Sequence, residues 1–341
     1  MILFNYINTE YKGEPRMDKS IKGLHHVTAI TDDVVRNYEF FTEILGMRLV
    51  KKTINQDEIQ TYHTYYADHM GTPGTTMTFF ANEKSPAGTH GTNSITRTGL
   101  RVPTDEALEY YLDRFETFDI DHEGIQEVFD KKVLPFQEPD GQRYQLVSDT
   151  DNEGMLPGEP WDLSPVPNEY AVYGLGPVEM TVSEFEVIKD HLIEFYGFDI
   201  VTETRGAVLL EIGEGGNGAQ IILREDTENP IAIEGNGEVH HIALRVDNRE
   251  ALKAWEELYE RNNFNHSGFI ERHYFGALYV RVGRVLIELS SDDPGFTIDE
   301  PYETLGESLA LPSEFEDHRE YIENQIRPFD TTIDRTKTTE D

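Results

Sequence analysis

Two phrases far apart in this 341-residue chain each open on a histidine pair: His25-His26-Val27-Thr28-Ala29-Ile30 and His240-His241-Ile242-Ala243-Leu244-Arg245-Val246. Both have the apolar and β-branched content of short strands. Later, Val285-Leu286-Ile287-Glu288-Leu289 is an apolar strand with one carboxylate inside it. Burying that carboxylate without a partner would be costly. Strand side chains alternate between two faces. If Val27 and Ala29, Ile242 and Leu244, and Val285 and Ile287 face a core, then His26, His241 and Glu288 share the opposite, concave side. Thr28 and Ile30 join them, and His25 and His240 are assigned to the other face at the strand starts. A lone strand histidine is usually a satisfied polar residue. Two imidazoles and one carboxylate at equivalent strand positions are instead the ligand set of a mononuclear divalent metal site with open positions.

The elements that must position these residues follow a repeat, which appears four times as a short strand, an acidic turn, an amphipathic helix and further strands. The first module opens at His26. Its helix runs Val35–Leu45 and is stopped by Gly46 as a left-handed cap, and Thr75–Phe80 closes it. The second opens at Thr98–Val102, with Thr104 and Asp105 as N-cap candidates, and closes at Arg143–Val147. The third opens at Pro177–Val182, and its Tyr196-Gly197-Phe198 echoes Leu45-Gly46-Met47. The fourth opens at His241, carries a helix over Glu250–Tyr259 and closes at Glu288.

Modules two and three offer Thr98, Pro177, Gln145 and the region of Ile222 where ligands would stand, and the closing strand of module one offers Phe79 and Phe80. Only one complete ligand set exists, with His26 from module one and His241 and Glu288 from module four, so those two modules must face each other.

The expected organisation is an N-terminal extension over 1–18, modules one and two over 19–150, a linker rich in Pro, Gly and Asp over 151–169, modules three and four over 170–295, and a tail over 296–341. Met17 reads as an alternative start ahead of the first strand. A tail helix is expected at Ser313–Ile326, docking through Phe315, Tyr321 and Ile322, and Thr331–Asp341 is expected to be disordered.

Asp and Glu total 65 against 29 Lys and Arg, for a formal net charge of -36. Nucleic acid and anionic membranes would be repelled, so neither is an expected partner. The absence of cysteine excludes disulfides and thiolate ligands, and a cytoplasmic protein is the simplest reading. The acidity reads either as an ordinary soluble surface or as adaptation to high salt. Adaptation predicts a melting temperature that climbs as salt is raised through the molar range, beyond the screening complete near about 0.1 M. A flat or falling melting curve selects the ordinary surface.

These residues resemble the vicinal oxygen chelate (glyoxalase/extradiol dioxygenase) superfamily. The repeated module, Leu45-Gly46-Met47 and the His, His, Glu set carry the resemblance over 21–293, and Leu305–Pro328 resembles the branch of hydroquinone-opening, ring-cleaving dioxygenases. The resemblance implies an α+β fold of four βαβββ modules, paired 1/4 and 2/3 into two cup-shaped domains. It implies iron ligands at His26, His241 and Glu288, with His25, Thr28 and His240 beside them. Arg272 and Tyr279 match substrate-pocket residues, and His240 matches a proton shuttle. The implied cofactor is Fe(II), with Mn(II) and Zn(II) also suited to these ligands. The implied partners are a small aromatic diol, hydroquinone or catechol, and O2, and a homo-oligomer is allowed. Two alternatives stay open: a glyoxalase- or thiol-transferase-like metalloenzyme on the same scaffold, and a protein that binds an aromatic compound without turnover.

Overall fold

The computed structural model describes residues 21–333 and 335. The expected extension over 1–18 lies outside the described residues, as do 334 and 336–341. Module one comprises β1 (Ile21–Thr31), α1 (Val34–Glu39), β2 (Arg48–Asn55), β3 (Glu58–Ala67) and β4 (Thr76–Ala81). Module two comprises β5 (Ser94–Val102), α2 (Asp105–Thr117), β6 (Gln126–Val128), β7 (Lys131–Gln137) and β8 (Arg143–Ser148). Module three comprises β9 (Gly174–Leu175), β10 (Val178–Val182), α3 (Phe185–His191), β11 (Asp199–Thr204), β12 (Ala207–Glu211) and β13 (Gln220–Glu225). Module four comprises β14 (Val239–Val246), α4 (Arg249–Arg261), β15 (Ile270–Glu271), β16 (Gly276–Val282) and β17 (Val285–Ser291).

In α1, α2 and α4 the helix starts where a short polar side chain can satisfy its free N–H groups. Asp33 accepts from the amides of Val35 and Arg36, Thr104 from Ala107, and Asn248 from Ala251. Inside α4, Leu252, Trp255, Leu258 and Tyr259 fall on one buried face at helical spacing. The helix of module one ends in a widened turn, with the Leu45 amide donating to the Phe40 carbonyl at 3.0 Å. Gly46 then leaves at φ +74, and a Cβ there would lie 2.5 Å from Ser164 Oγ. Module three repeats this exit at Gly197, φ +87.

Two curled mixed sheets result, ordered β15-β16-β17-β14-β1-β4-β3-β2 and β11-β12-β13-β10-β5-β8-β7-β6. The first joins modules one and four, the second modules two and three, as expected. In the first, β1 and β14 run antiparallel at the centre, each parallel to its own closing strand, β4 or β17. The helix-covered faces of both sheets bury one continuous core, in which Phe41 touches Tyr66 and Phe79 of its own module and Tyr144 of module two. The stretch over 151–169 is tied to this body: Ser164 Oγ donates to the Gly46 carbonyl, the His69 amide donates to Glu159, and Val166 is buried. No helix among the described residues is long and apolar enough to cross a membrane.

The tail departs from expectation. A tight turn over Ser313–His318 precedes α5 (Arg319–Glu323), in place of one helix to Ile326. Ile322 is buried and Phe315 packs against the cluster of Val34, Ile54 and Tyr62, but Tyr321 faces solvent. Thr331, expected in the disordered end, is buried. It accepts from Lys52 Nζ at 2.8 Å and donates to the Gly306 carbonyl. Buried Lys51 is held by Asp299 and Glu300. The tail thus lies along β2, where Leu309 bridges Lys52, and covers an edge that would otherwise expose unpaired backbone groups.

Candidate metal centre

The strand register decides which side chains converge. On β1 and β4, Thr28 lies beside Thr78; on β14 and β17, Ala243 lies beside Glu288. His26 and His241 stand two residues before Thr28 and Ala243, so they occupy equivalent positions about a local twofold. Tyr279 lies opposite Glu288 on β16, and Tyr65 opposite Thr78 on β3. The counterpart of Glu288 in module one is therefore Thr78, not Phe79 or Phe80. Phe79 is buried in the core, and Phe80 lines the cup.

The structure brings His26, His241 and Glu288 together, all buried. The two Nε2 atoms are 3.2 Å apart, and Glu288 Oε2 lies 2.8 Å from His241 Nε2 and 3.4 Å from His26 Nε2. Glu288 Oε1 accepts from Ser290 Oγ at 2.6 Å, whereas Oε2 is buried without a hydrogen bond.

His25 and His240 are not on the far face as strict alternation requires. The β1–β14 pairing skips one residue between Leu24 and His26, and another between the partners of Thr28 and Ala29. His25 and His240 are the extra residues of these two bulges, and a bulge re-aims side chains. Each therefore turns back toward its neighbour: His25 Nδ1 lies 2.9 Å from His26 Nδ1, and His240 Nδ1 2.7 Å from His241 Nδ1. His25 Nε2 lies 3.2 Å from the Ser291 carbonyl, which can only accept, so this nitrogen carries the proton. His25 Nδ1 must then accept from His26 Nδ1–H, leaving the Nε2 lone pair of His26 aimed at Glu288 and His241.

Burial pushes the imidazoles of His25 and His241 down to about 3. Burial alone would raise Glu288, but the imidazoles of His26 and His241 hold it well below the usual carboxylate range. A buried carboxylate oxygen facing the Nε2 atoms of two imidazoles is a donor set that suits a divalent cation. The residues present fit a metal ion.

Above the cluster the pocket is walled by Phe275, Tyr279, Arg272, Tyr274 and Phe80. The Arg272 guanidinium lies 5.6 Å from the centre of the Tyr279 ring and donates to Asp57 at 2.8 Å. Burial drives the Tyr279 phenol upward and keeps it protonated. Thr28 Oγ1 lies 2.9 Å from Thr78 Oγ1, and both side chains are buried. His240 is half-buried, its ring edge-on to Phe80 at 5.4 Å.

Sequence reasoning missed His63, Tyr65 and Thr78. His63 Nε2 lies 2.8 Å from Thr78 Oγ1, and its Nδ1 2.9 Å from the Tyr65 hydroxyl. Alternation held the signal: Thr61, His63 and Tyr65 interleave with Tyr62, Thr64 and Tyr66, and Tyr66 belongs to the core.

Residues 23–146 match the family model of the Glyoxalase/Bleomycin resistance protein/Dioxygenase superfamily. The chain is 42% identical over 314 residues to the "Putative ring-cleaving dioxygenase MhqA" of Bacillus subtilis, covering 90% of this chain and 99% of that one. It is 27% identical over 310 residues to a chlorohydroquinone/hydroquinone 1,2-dioxygenase of Sphingobium indicum, covering 88% and 94%. A crystal structure described as a putative dioxygenase from Bacillus subtilis superposes with a TM-score of 0.84 at 31% identity, covering 92% of this chain and 99% of that one. Fold, register and these similarities agree, and the chain belongs to the glyoxalase/bleomycin resistance protein/dioxygenase superfamily, alongside its ring-cleaving dioxygenase-like members.

Proposed function

We propose that this chain is an Fe(II)-dependent ring-cleaving dioxygenase that opens a hydroquinone with O2. The observation that carries the reading is the buried His26–His241–Glu288 cluster, whose fourth equivalent position holds Thr78. Three protein ligands on one side leave neighbouring coordination positions free. A bound iron would supply Lewis acidity toward a phenolate and a path for electrons between the ring and O2. His26, His241 and Glu288 hold that ion, and the His25 and His240 contacts fix the two ligand rings. Tyr279 and Arg272 stand beside Glu288 to hold the oxygen of the bound diol, a phenol and a cation aimed where charge develops. His240, linked to His241 and half-buried, carries a proton between the site and solvent. Phe275 and Phe80 supply an apolar wall against the ring and keep bulk water away.

A lyase on this scaffold would draw on a second carboxylate as ligand and base. Thr78 at that position has no basic atom to offer, which favours the oxygenase.

The test is anaerobic reconstitution with Fe(II), Mn(II) or Zn(II), followed by oxygen-electrode measurements on hydroquinones and catechols. The expected result is oxygen uptake with Fe(II) and a methyl- or halogen-substituted hydroquinone, at a higher kcat/KM than any catechol. Turnover of catechols alone rejects the hydroquinone preference, and no uptake with any diol rejects the dioxygenase.

A further inference from the structure

The cup carries a second polar end that none of the groups above uses. Thr28 Oγ1, Thr78 Oγ1, His63 and the Tyr65 hydroxyl form one continuous chain of contacts at 2.9, 2.8 and 2.9 Å. Its His63 and Tyr65 members line the pocket from module one, as Glu288 and Tyr279 line it from module four. The local twofold relates the two ends, so Tyr65 stands where Tyr279 stands and Thr78 where Glu288 stands. Both tyrosines and His63 line the same pocket.

We propose that Tyr65, oriented by His63, is the specificity-determining group that receives the hydroxyl of the diol remote from the metal. The inference rests on the ring-cleaving reading and names how a para-diol is chosen. A neutral imidazole has one donor and one acceptor nitrogen. If Tyr65 donates its O–H to His63 Nδ1, then His63 Nε2–H donates to Thr78 Oγ1, and the Thr78 hydroxyl donates to Thr28 Oγ1. Every member of the chain is then satisfied, and the lone pairs of the Tyr65 oxygen remain to accept one further donor. Burial holds His63 well below the ordinary histidine range, so it stays neutral and the chain keeps this polarity. Burial likewise keeps Tyr65 a phenol rather than a phenolate.

The ligand chemistry follows from the shape of the site. A para-diol carries a hydroxyl at each end of the ring, and this pocket is lined by polar groups from both modules. One hydroxyl goes to the ligand cluster with Tyr279 and Arg272, and the other donates to Tyr65. A catechol carries both hydroxyls on one side and leaves the acceptor lone pairs of Tyr65 without a donor. Leaving a buried polar group unpaired is what lets a site reject the analogue that lacks the matching hydroxyl.

The experiment compares Tyr65→Phe and His63→Leu with wild type. It measures anaerobic binding of hydroquinone, 4-methoxyphenol and catechol by quenching of protein fluorescence, and oxygen uptake by the iron-loaded enzymes. Iron content and melting temperature report on folding, and His63→Gln, which can still bridge Tyr65 and Thr78, is the second variant should His63→Leu fail to fold. Tyr65→Phe is expected to weaken hydroquinone binding and raise its KM by about five- to tenfold, the scale of one neutral hydrogen bond. Discrimination against 4-methoxyphenol and catechol should shrink by the same factor. His63→Leu should match Tyr65→Phe, and His63→Gln should recover part of the loss. Unchanged discrimination in a folded Tyr65→Phe overturns the proposal, as does a wild-type protein that binds hydroquinone and 4-methoxyphenol equally. Hydroquinone binding that depends on Tyr65, in a protein that consumes no oxygen, upholds the subsite and removes the dioxygenase.

Discussion

Alanine at His26, His241 or Glu288 is expected to abolish both metal binding and oxygen uptake while the fold survives. Each residue supplies one atom to a cluster in which the closest approach is 2.8 Å and the longest quoted 3.4 Å. With three protein ligands, loss of any one leaves too few to hold a labile divalent ion. The fold should tolerate each change. Glu288→Ala creates no stranded charge, since His241 is neutral when buried and its other nitrogen keeps a partner in His240; in His26→Ala and His241→Ala the buried Glu288 carboxyl, relieved of one imidazole, takes up a proton. Ser290→Ala should act more mildly. It removes the hydrogen bond to Glu288 Oε1 and should weaken the metal about 10–100-fold, the usual scale for a group that orients a ligand. Metal analysis of purified, iron-reconstituted variants decides both points. A variant that retains full occupancy removes its residue from the ligand list.

His240→Ala is expected to lose about 10²–10⁴-fold in rate at saturating iron, the range for a missing acid–base group. His240 is bonded to a ligand and also packs edge-on against Phe80 of the pocket wall, so two roles must be separated. If it carries the proton, the loss persists when iron is saturating and the pH–rate profile loses one limb. If it only orients His241, added iron restores the rate. His25→Ala is the control, since His25 has the same contact with a ligand but donates onward to the Ser291 carbonyl.

Strand alternation was enough to collect His26, His241 and Glu288, because Val27, Ile242 and Ile287 mark the core face without ambiguity. The same rule misplaced His25 and His240, because a bulge depends on the partner strand and leaves no mark in a single strand's pattern. Thr78 was passed over for a related reason. The run Thr76-Met77-Thr78-Phe79-Phe80 shows which residues alternate, but which of them stands level with Thr28 is a matter of register. The module pattern was legible from its helices and from the glycines that end two of them. The tail was not, because Thr331 and Lys52 are far apart in sequence and their contact exists only after the body has formed.

The central strands of the site-bearing sheet come from opposite ends of the chain, His26 and His241 lying 215 residues apart. On the ribosome this separation becomes a timetable. At about 5–20 residues per second, the roughly 260 residues from His26 to Glu288 take on the order of 13–50 s to emerge. For the first 215 of those residues the nascent chain displays one of three ligands, and then two until Glu288 emerges, too few to retain any metal it meets. Modules two and three are complete by Glu225, and their own central pair, β5 and β10, draws the two flanks of the insert together. When β14 emerges, much of the loop-closure entropy of its long return has already been met. The metal-binding cup is thus assembled after modules two and three, and ion capture waits for β17 to emerge.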